Sequence, residues 1–381
     1  MRIVRGMIEI GQPVEFNVYT RTGTMLMRRG SIIRDPSKIE RFITWECYTT
    51  QESGTELWIK KQDTENQSEA SQVIELILRL DAAFTNYVNH KQNLIPEISE
   101  IADSLIEKIT QAPNMVIALS HVRNDLKISV LRTIQNTVFA ILTAQHAGLP
   151  ENNIKALACA SLTQNLSILE LQDELAEQKR GPTEFEHKRI RQHTKESAKI
   201  LLNLGVQEKE WLQTVWSHHE LTDGSGYPNQ IKGDNIPELA RILAITDRYG
   251  ATVTPRGDRK AKTIDSVFRQ FLINDVKKYD RTFSQLLIKE IGIYPPGATV
   301  VLNSGETALV FERTEHSKFP RVKVILDENG QTAVQPIERN TKTHAFKIRR
   351  HVVLPYIYQL NADLFWGPDI DHKHGPIFNI V

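Results

Sequence analysis

The 381 residues suffice for two or three domains, and 40% apolar with 24% charged residues fits a soluble globular protein. A formal charge of +1 gives no bulk attraction for DNA, RNA or an anionic membrane, so any phosphate must be read by a local cluster. Cys47 and Cys159 are the only cysteines, which argues against a disulfide framework and fits a reducing cytoplasm. The start, Met1 to Gly6, lacks the apolar core of a signal peptide, and no apolar run approaches the ~18 residues needed to span a bilayer.

Residues 1–60 read as a β-rich module. Val14 to Tyr19 alternates as a strand does, Thr20 to Gly23 supplies a turn, and Met25-Leu26-Met27 completes a hairpin, with a further short β segment between Trp45 and Trp58. Residues 61–115 hold a linker and helices. Lys60 to Gln72 is polar and without apolar period, then Val73, Leu76, Leu80 and Phe84 mark one helical stripe and Ile98, Ile101, Leu105 and Ile109 another. A core role, a domain connection and a homodimer contact are all open for these helices.

From 116 to 290 the pattern is helical. Ile128 to Ala147 is amphipathic and stops at Gly148, Asn152 or Asn153 can cap the next helix, Lys188 to Leu204 ends at Gly205, and Trp211 to His219 and Pro237 to Tyr249 follow. Residues 291–381 are β-rich again. Strands are read at Thr299–Leu302, Ala308–Phe311 and Val322–Ile325, with turns at Asn303-Ser304-Gly305 and Asp327 to Gly330, before an irregular end at Phe365 to Pro368.

Three of these helices place a ligand-type side chain on an apolar stripe. His193 lies three residues after Ile190, His218 and His219 lie three and four after Val215, and Asp247 lies four after Leu243. A carboxylate facing a core is costly unless paired or metal-bound, so inward histidine and aspartate from separate helices suit a bundle metal site. Taken singly, each histidine is better explained as a hydrogen-bonded core residue and the aspartate as part of a salt bridge; the four together, in this order, point the other way.

His218 to Pro228 reads His-His-Glu-Leu-Thr-Asp-Gly-Ser-Gly-Tyr-Pro, and its two glycines can take positive φ at little cost. The string resembles the second signature of the HD-GYP family, H-H-E-x-x-D-G-x-G-Y-P, whose members are bacterial metal-dependent phosphodiesterases of cyclic di-GMP. The resemblance implies an α+β chain, with a mainly helical HD-type bundle flanked by small N-terminal and C-terminal β-rich modules. It matches His193, His218, His219 and Asp247 to metal ligands. It also places Asp223, Gly226, Tyr227, Pro228, Arg256 and Arg259, with Lys260, around the ligand.

The family's first signature is missing. Where the resemblance calls for H-D-I-G-K, the chain has Thr163 for the histidine, Gln164 for the aspartate that bridges two ions, and Ser167 for the lysine; a further family histidine near Leu131 to Gln135 is also absent. Two-metal hydrolysis needs an anionic clamp that Gln164 cannot supply. One divalent iron, manganese or zinc ion on the remaining ligands is the expectation. Three functions are open: a degenerate receptor or scaffold of cyclic di-GMP signalling with weak or absent phosphodiesterase activity, an active phosphodiesterase using a reduced metal site assisted by Glu220, or a metal-free module that docks a protein partner.

Overall fold

The computed structural model describes residues 68–122, 126–253, 275, 277–354 and 357–366. Of the first 49 residues it describes 3–4, 6–16, 18–19, 25–27, 32–33, 36, 39, 42–43 and 47–49. The turn at 20–23, Trp45, Trp58, Arg256, Arg259, Lys260, Gly367 and Pro368 lie outside them. The chain divides into two compact units, one of Met1–Gln92 with Gln359–Val381, the other of Asn93–Tyr358.

In the first unit, β1 (Val18–Tyr19) lies between β2 (Met25–Met27) and β3 (Tyr48–Thr49), all antiparallel. Val14 to Phe16, expected in the first strand, lies outside it; Pro13, which has no N–H to donate, makes only an isolated bridge to Ile32. Ile3, Val18, Ile33, Phe42 and Cys47 form the core. Helix α1 (Glu69–His90) begins inside the expected linker. Ser68 caps it, its Oγ accepting the Ser71 N–H at 3.1 Å, so the local cap chemistry outweighs the missing apolar period.

The second unit is built on helices α2 (Ile95–Gln111), α3 (Pro113–Val122), α4 (Ile128–His146), α5 (Glu151–Thr163), α6 (Leu169–Glu177), α7 (Glu184–Asn203), α8 (Lys209–Ser217), α9 (Glu238–Val253) and α10 (Arg281–Ile291). Helix α4 is the axis. It packs against α2, α3, α5, α6, α9 and α10 and is buried on nearly every face, as a helix must be when neighbours surround it. The stripe Ile98, Ile101, Leu105 and Ile109 of α2 is fully buried. Pro150, not Asn152 or Asn153, precedes α5; both asparagines fall within its first turn. Thr183 and Glu186 form a capping box at the start of α7.

Five antiparallel strands follow: β4 (Thr299–Leu302), β5 (Thr307–Glu312), β6 (Arg321–Leu326), β7 (Thr332–Asn340) and β8 (Ile348–Val352), in the order β7-β6-β5-β4-β8. Val300, Leu302, Ala308, Val310 and Val322 fill the inner face. The expected α+β class thus holds, with a helical core and a C-terminal antiparallel sheet. The expected irregular end contains one short helix, α11 (Asp363–Trp366), which belongs to the first unit.

Gly297 joins the sheet to the helices. Its φ is +88°, and a Cβ there would lie 2.7 Å from the Ala118 carbonyl oxygen and 2.9 Å from the His121 Cβ, both on α3. Arg313 clamps the same corner, donating to Asn114 Oδ1 at 2.8 Å and to Glu290 Oε2 at 2.9 Å. Gly297→Ala is therefore expected to cost on the order of 2 kcal/mol or more, read as a lower midpoint in urea denaturation. A change within ~0.5 kcal/mol would show that the corner is not a tight joint.

Candidate active site

The loop after α8 sets the site. Helix α8 ends at Ser217, two residues short of the expected end, so His218 and His219 stand at its C-terminal edge instead of within it. Glu220 then fixes the path of the loop. It is buried, its Oε1 accepts the Asn229 N–H at 2.6 Å, and its Oε2 accepts the Ile231 N–H at 3.0 Å. With each oxygen bonded to the backbone and the side chain absent from the cavity lining, Glu220 organises the loop. Asp223 is exposed and accepts from the N–H and hydroxyl of Ser225 at 2.8 and 2.6 Å; these bonds hold its carboxyl below the ordinary range.

Gly224 takes φ +79°, as expected of a turn glycine, but Gly226 does not have positive φ. Gly226 is needed for space: a Cβ there would collide with the backbone of Leu221 and with the His219 carbonyl oxygen, 2.5 Å away. The close approach brings the Tyr227 N–H to the His219 carbonyl at 3.1 Å and stacks the Tyr227 ring on His219, centroids 4.7 Å apart. The Tyr227–Pro228 peptide is cis.

His193, from the middle of α7, meets this loop. Nitrogens of His193, His218 and His219 all lie within 4.8 Å of one another, and among the described residues they form the group fit to hold a metal. The ring of His193 faces the Ile190 carbonyl through Nδ1 at 2.5 Å, and that of His218 faces the Val215 carbonyl through Nδ1 at 2.7 Å. A carbonyl only accepts, so both Nδ1 atoms carry protons and both Nε2 atoms present lone pairs when the rings are neutral. Those Nε2 atoms face each other at 3.1 Å. Two facing lone pairs call for a cation between them, and ligand nitrogens on one first-row ion sit about 3 Å apart at bond lengths of ~2.0–2.1 Å. The donor set fits such an ion.

Protonation is the competing way to fill that gap, and the surroundings oppose it. Burial and then the neighbouring His218 push His193 down to about 3. Burial also lowers His218, although the Asp247 charge acts the other way. His219 is lowered by burial, by the two histidines and by Arg132.

Asp247, the expected fourth ligand, projects from α9 into the same cavity. Its Oδ1 accepts from Asn136 Nδ2 at 2.9 Å and from Arg132 Nη2 at 3.1 Å. Arg132 and Asn136 are one turn apart on α4, so both reach one point. Sequence pattern does not single them out: a helix buried all round offers no polar face from which to pick functional positions. Nor does it single out Arg191 and Arg248, which flank His193 and Asp247.

The cavity measures about 420 Å³. Arg132, Arg191, Arg248, the three histidines, Asp247, Tyr227 and Tyr279 line it beside an apolar wall that includes Leu171 and Ile190. Asp223 and Pro228 are not among the lining residues, although Gly226 and Tyr227 are. Among the described residues the lining therefore carries three guanidinium groups against one carboxylate, which favours an anionic ligand.

Thr163, Gln164 and Ser167 face other tasks. Thr163 Oγ1 donates to the Cys159 carbonyl at 2.7 Å and accepts from Trp211 Nε1 at 2.8 Å, tying α5 to α8. Ser167 Oγ donates to the His193 carbonyl at 3.1 Å and lies 3.0 Å from Ser197 Oγ. Gln164 is fully buried, and neither of its amide atoms has a hydrogen-bond partner. None of the three lines the cavity.

Comparison with known proteins agrees with this geometry. Residues 114–283 match the family model of the HD domain. Residues 114–283 thus carry an HD domain, and the relatives and structural neighbour below support one of the HD-GYP type. Cyclic di-GMP phosphodiesterase PA4108 of Pseudomonas aeruginosa is 24% identical over 237 residues, 62% of this chain and 57% of that protein. Cyclic di-GMP phosphodiesterase PdeB of Borreliella burgdorferi is 24% identical over 226 residues, 58% of this chain and 59% of that protein. The chain thus spans less than two thirds of the length of these relatives. Bd1817, an HDG"Y"P protein of Bdellovibrio bacteriovorus, shares the fold with a TM-score of 0.53 at 15% identity, covering 75% of this chain and 97% of that one.

The buried histidines make stability depend on pH. Their folded-state pKa values are depressed, so the unfolded chain binds more protons below about 6.5, and stability is full above that value and declines as pH falls toward 3. For His193 alone the loss at pH 5.5 is ~1 kcal/mol. Urea denaturation of chelator-treated protein at pH 7.5 and 5.5 should show this decline, and His193→Asn should reduce it. An equal slope in the variant would contradict the assignment.

Proposed function

We propose that the chain acts in cyclic di-GMP signalling as a receptor or scaffold, with weak or absent phosphodiesterase activity. The observation that carries this reading is the fate of Thr163, Gln164 and Ser167. The resemblance matches them to the family's histidine, bridging aspartate and lysine, and here two are consumed by helix packing while the third is sealed in the core. Among the described residues that line the cavity, Asp247 is the single carboxylate, and no other anionic group stands in for the bridging aspartate.

Binding capacity is retained. Three arginines suit phosphodiester oxygens, and Tyr227 and Tyr279 provide aromatic faces for a base. The relatives named as cyclic di-GMP phosphodiesterases make that dinucleotide the first ligand to test. Among the described residues, no helix is long and apolar enough to cross a membrane.

One observation favours a second reading. The facing Nε2 atoms of His193 and His218 fit one metal ion, and an ion-bound water is a nucleophile in principle. Glu220, expected to assist under that reading, holds two backbone N–H groups of its own loop and does not line the cavity, which argues against its serving as the base. Isothermal titration with cyclic di-GMP, paired with a manganese-supplemented turnover assay, separates the two. The receptor reading expects saturable binding and less than about one turnover per minute. Rapid turnover abolished by His219→Ala would establish the mononuclear enzyme instead, and no binding at all would leave neither standing.

A further inference from the structure

We infer that Arg132 is a built-in counter-cation. Its guanidinium neutralises Asp247 in place of a metal ion, so the pocket holds no more than one ion, on His193, His218 and His219. It also sets a fixed positive charge beside an anionic ligand, a role that rests on the reading of the pocket proposed above.

Asp247 is 7% exposed. A carboxylate so buried needs a counter-charge or a metal. It has the counter-charge already, with Arg132 at 3.1 Å and Asn136 at 2.9 Å converging on Oδ1. Arginine cannot release its proton in a protein, so this charge is permanent. The Arg132 side chain is itself only 14% exposed, and its Nε–H is buried without a partner, so water screens the charge weakly.

This pairing has two effects on cations. Asp247 stands outside the mutually close group of three histidines, so the trio does not depend on it for closure. A second dication brought to Asp247 would have to displace or face a guanidinium in a site of low dielectric.

The test is manganese binding to the full chain, measured by equilibrium dialysis and elemental analysis, with no nucleotide present. Wild-type protein should bind no more than one ion per chain. Arg132→Gln should tighten binding by on the order of tenfold or more, or admit a second ion. Arg132→Gln with Asp247→Asn removes both charges together and guards against misfolding from an unpaired buried carboxylate; it should bind manganese within about threefold of wild type. Unchanged or weaker binding in folded Arg132→Gln would overturn the inference. So would a tenfold or greater loss in the double variant, which would make Asp247 a direct ligand, or an absence of metal from all three proteins. Because the readout is metal alone, failure to bind cyclic di-GMP would remove the receptor reading and leave this inference intact.

Discussion

A single buried carboxylate governs the character of this pocket. Asp247 can be held by a metal or by the protein, and here the protein holds it, through Arg132 and Asn136 one turn apart on the central helix. The backbone that carries both is firmly placed, because α4 is surrounded by six other helices. The rest of the site is arranged around that fixed charge: three neutral histidines on one side, and Arg191 and Arg248 in the remaining lining.

Burial favours the neutral form of all three histidines, and backbone carbonyls aim His193 and His218. This is what an ion requires of imidazole ligands, with one nitrogen protonated and oriented and the other presenting its lone pair. Their support lies in the loop. Glu220 ties the chain at Asn229 and Ile231, and Gly226 lets the backbone approach closely enough for Tyr227 to stack on His219. A loop built this way holds the shape of the pocket from one side. On the other side, Thr163 joins α5 to α8 and Ser167 joins the short connection after α5 to α7. Gln164 is the exception: its two unpartnered amide atoms cost about 1–3 kcal/mol each, and it does not line the cavity.

Much of this is legible in the sequence. Apolar period locates the helices, alternation locates β4, β5 and β6, and the density of ligand types from His218 to Pro228 marks the site. The misreadings have physical causes. The start of α1 reads as linker because polar composition hides a single serine cap, and the asparagines that suggest a cap for α5 lie beyond Pro150, inside the first turn. Gly226 suggests backbone freedom, whereas its role is room for a neighbouring stretch of chain. Arg132 is invisible because spacing reveals a partner only when one face of a helix differs from the others. On α4 nearly every face is buried, so the pairing with Asp247, 115 residues away, emerges only from the fold.

The most direct measurement is anomalous scattering at the manganese edge from crystals grown with that ion. The account predicts one peak per chain at most, bounded by His193, His218 and His219, with Arg132 still on Asp247. A peak coordinated by the Asp247 carboxylate, or two peaks in one pocket, would contradict it.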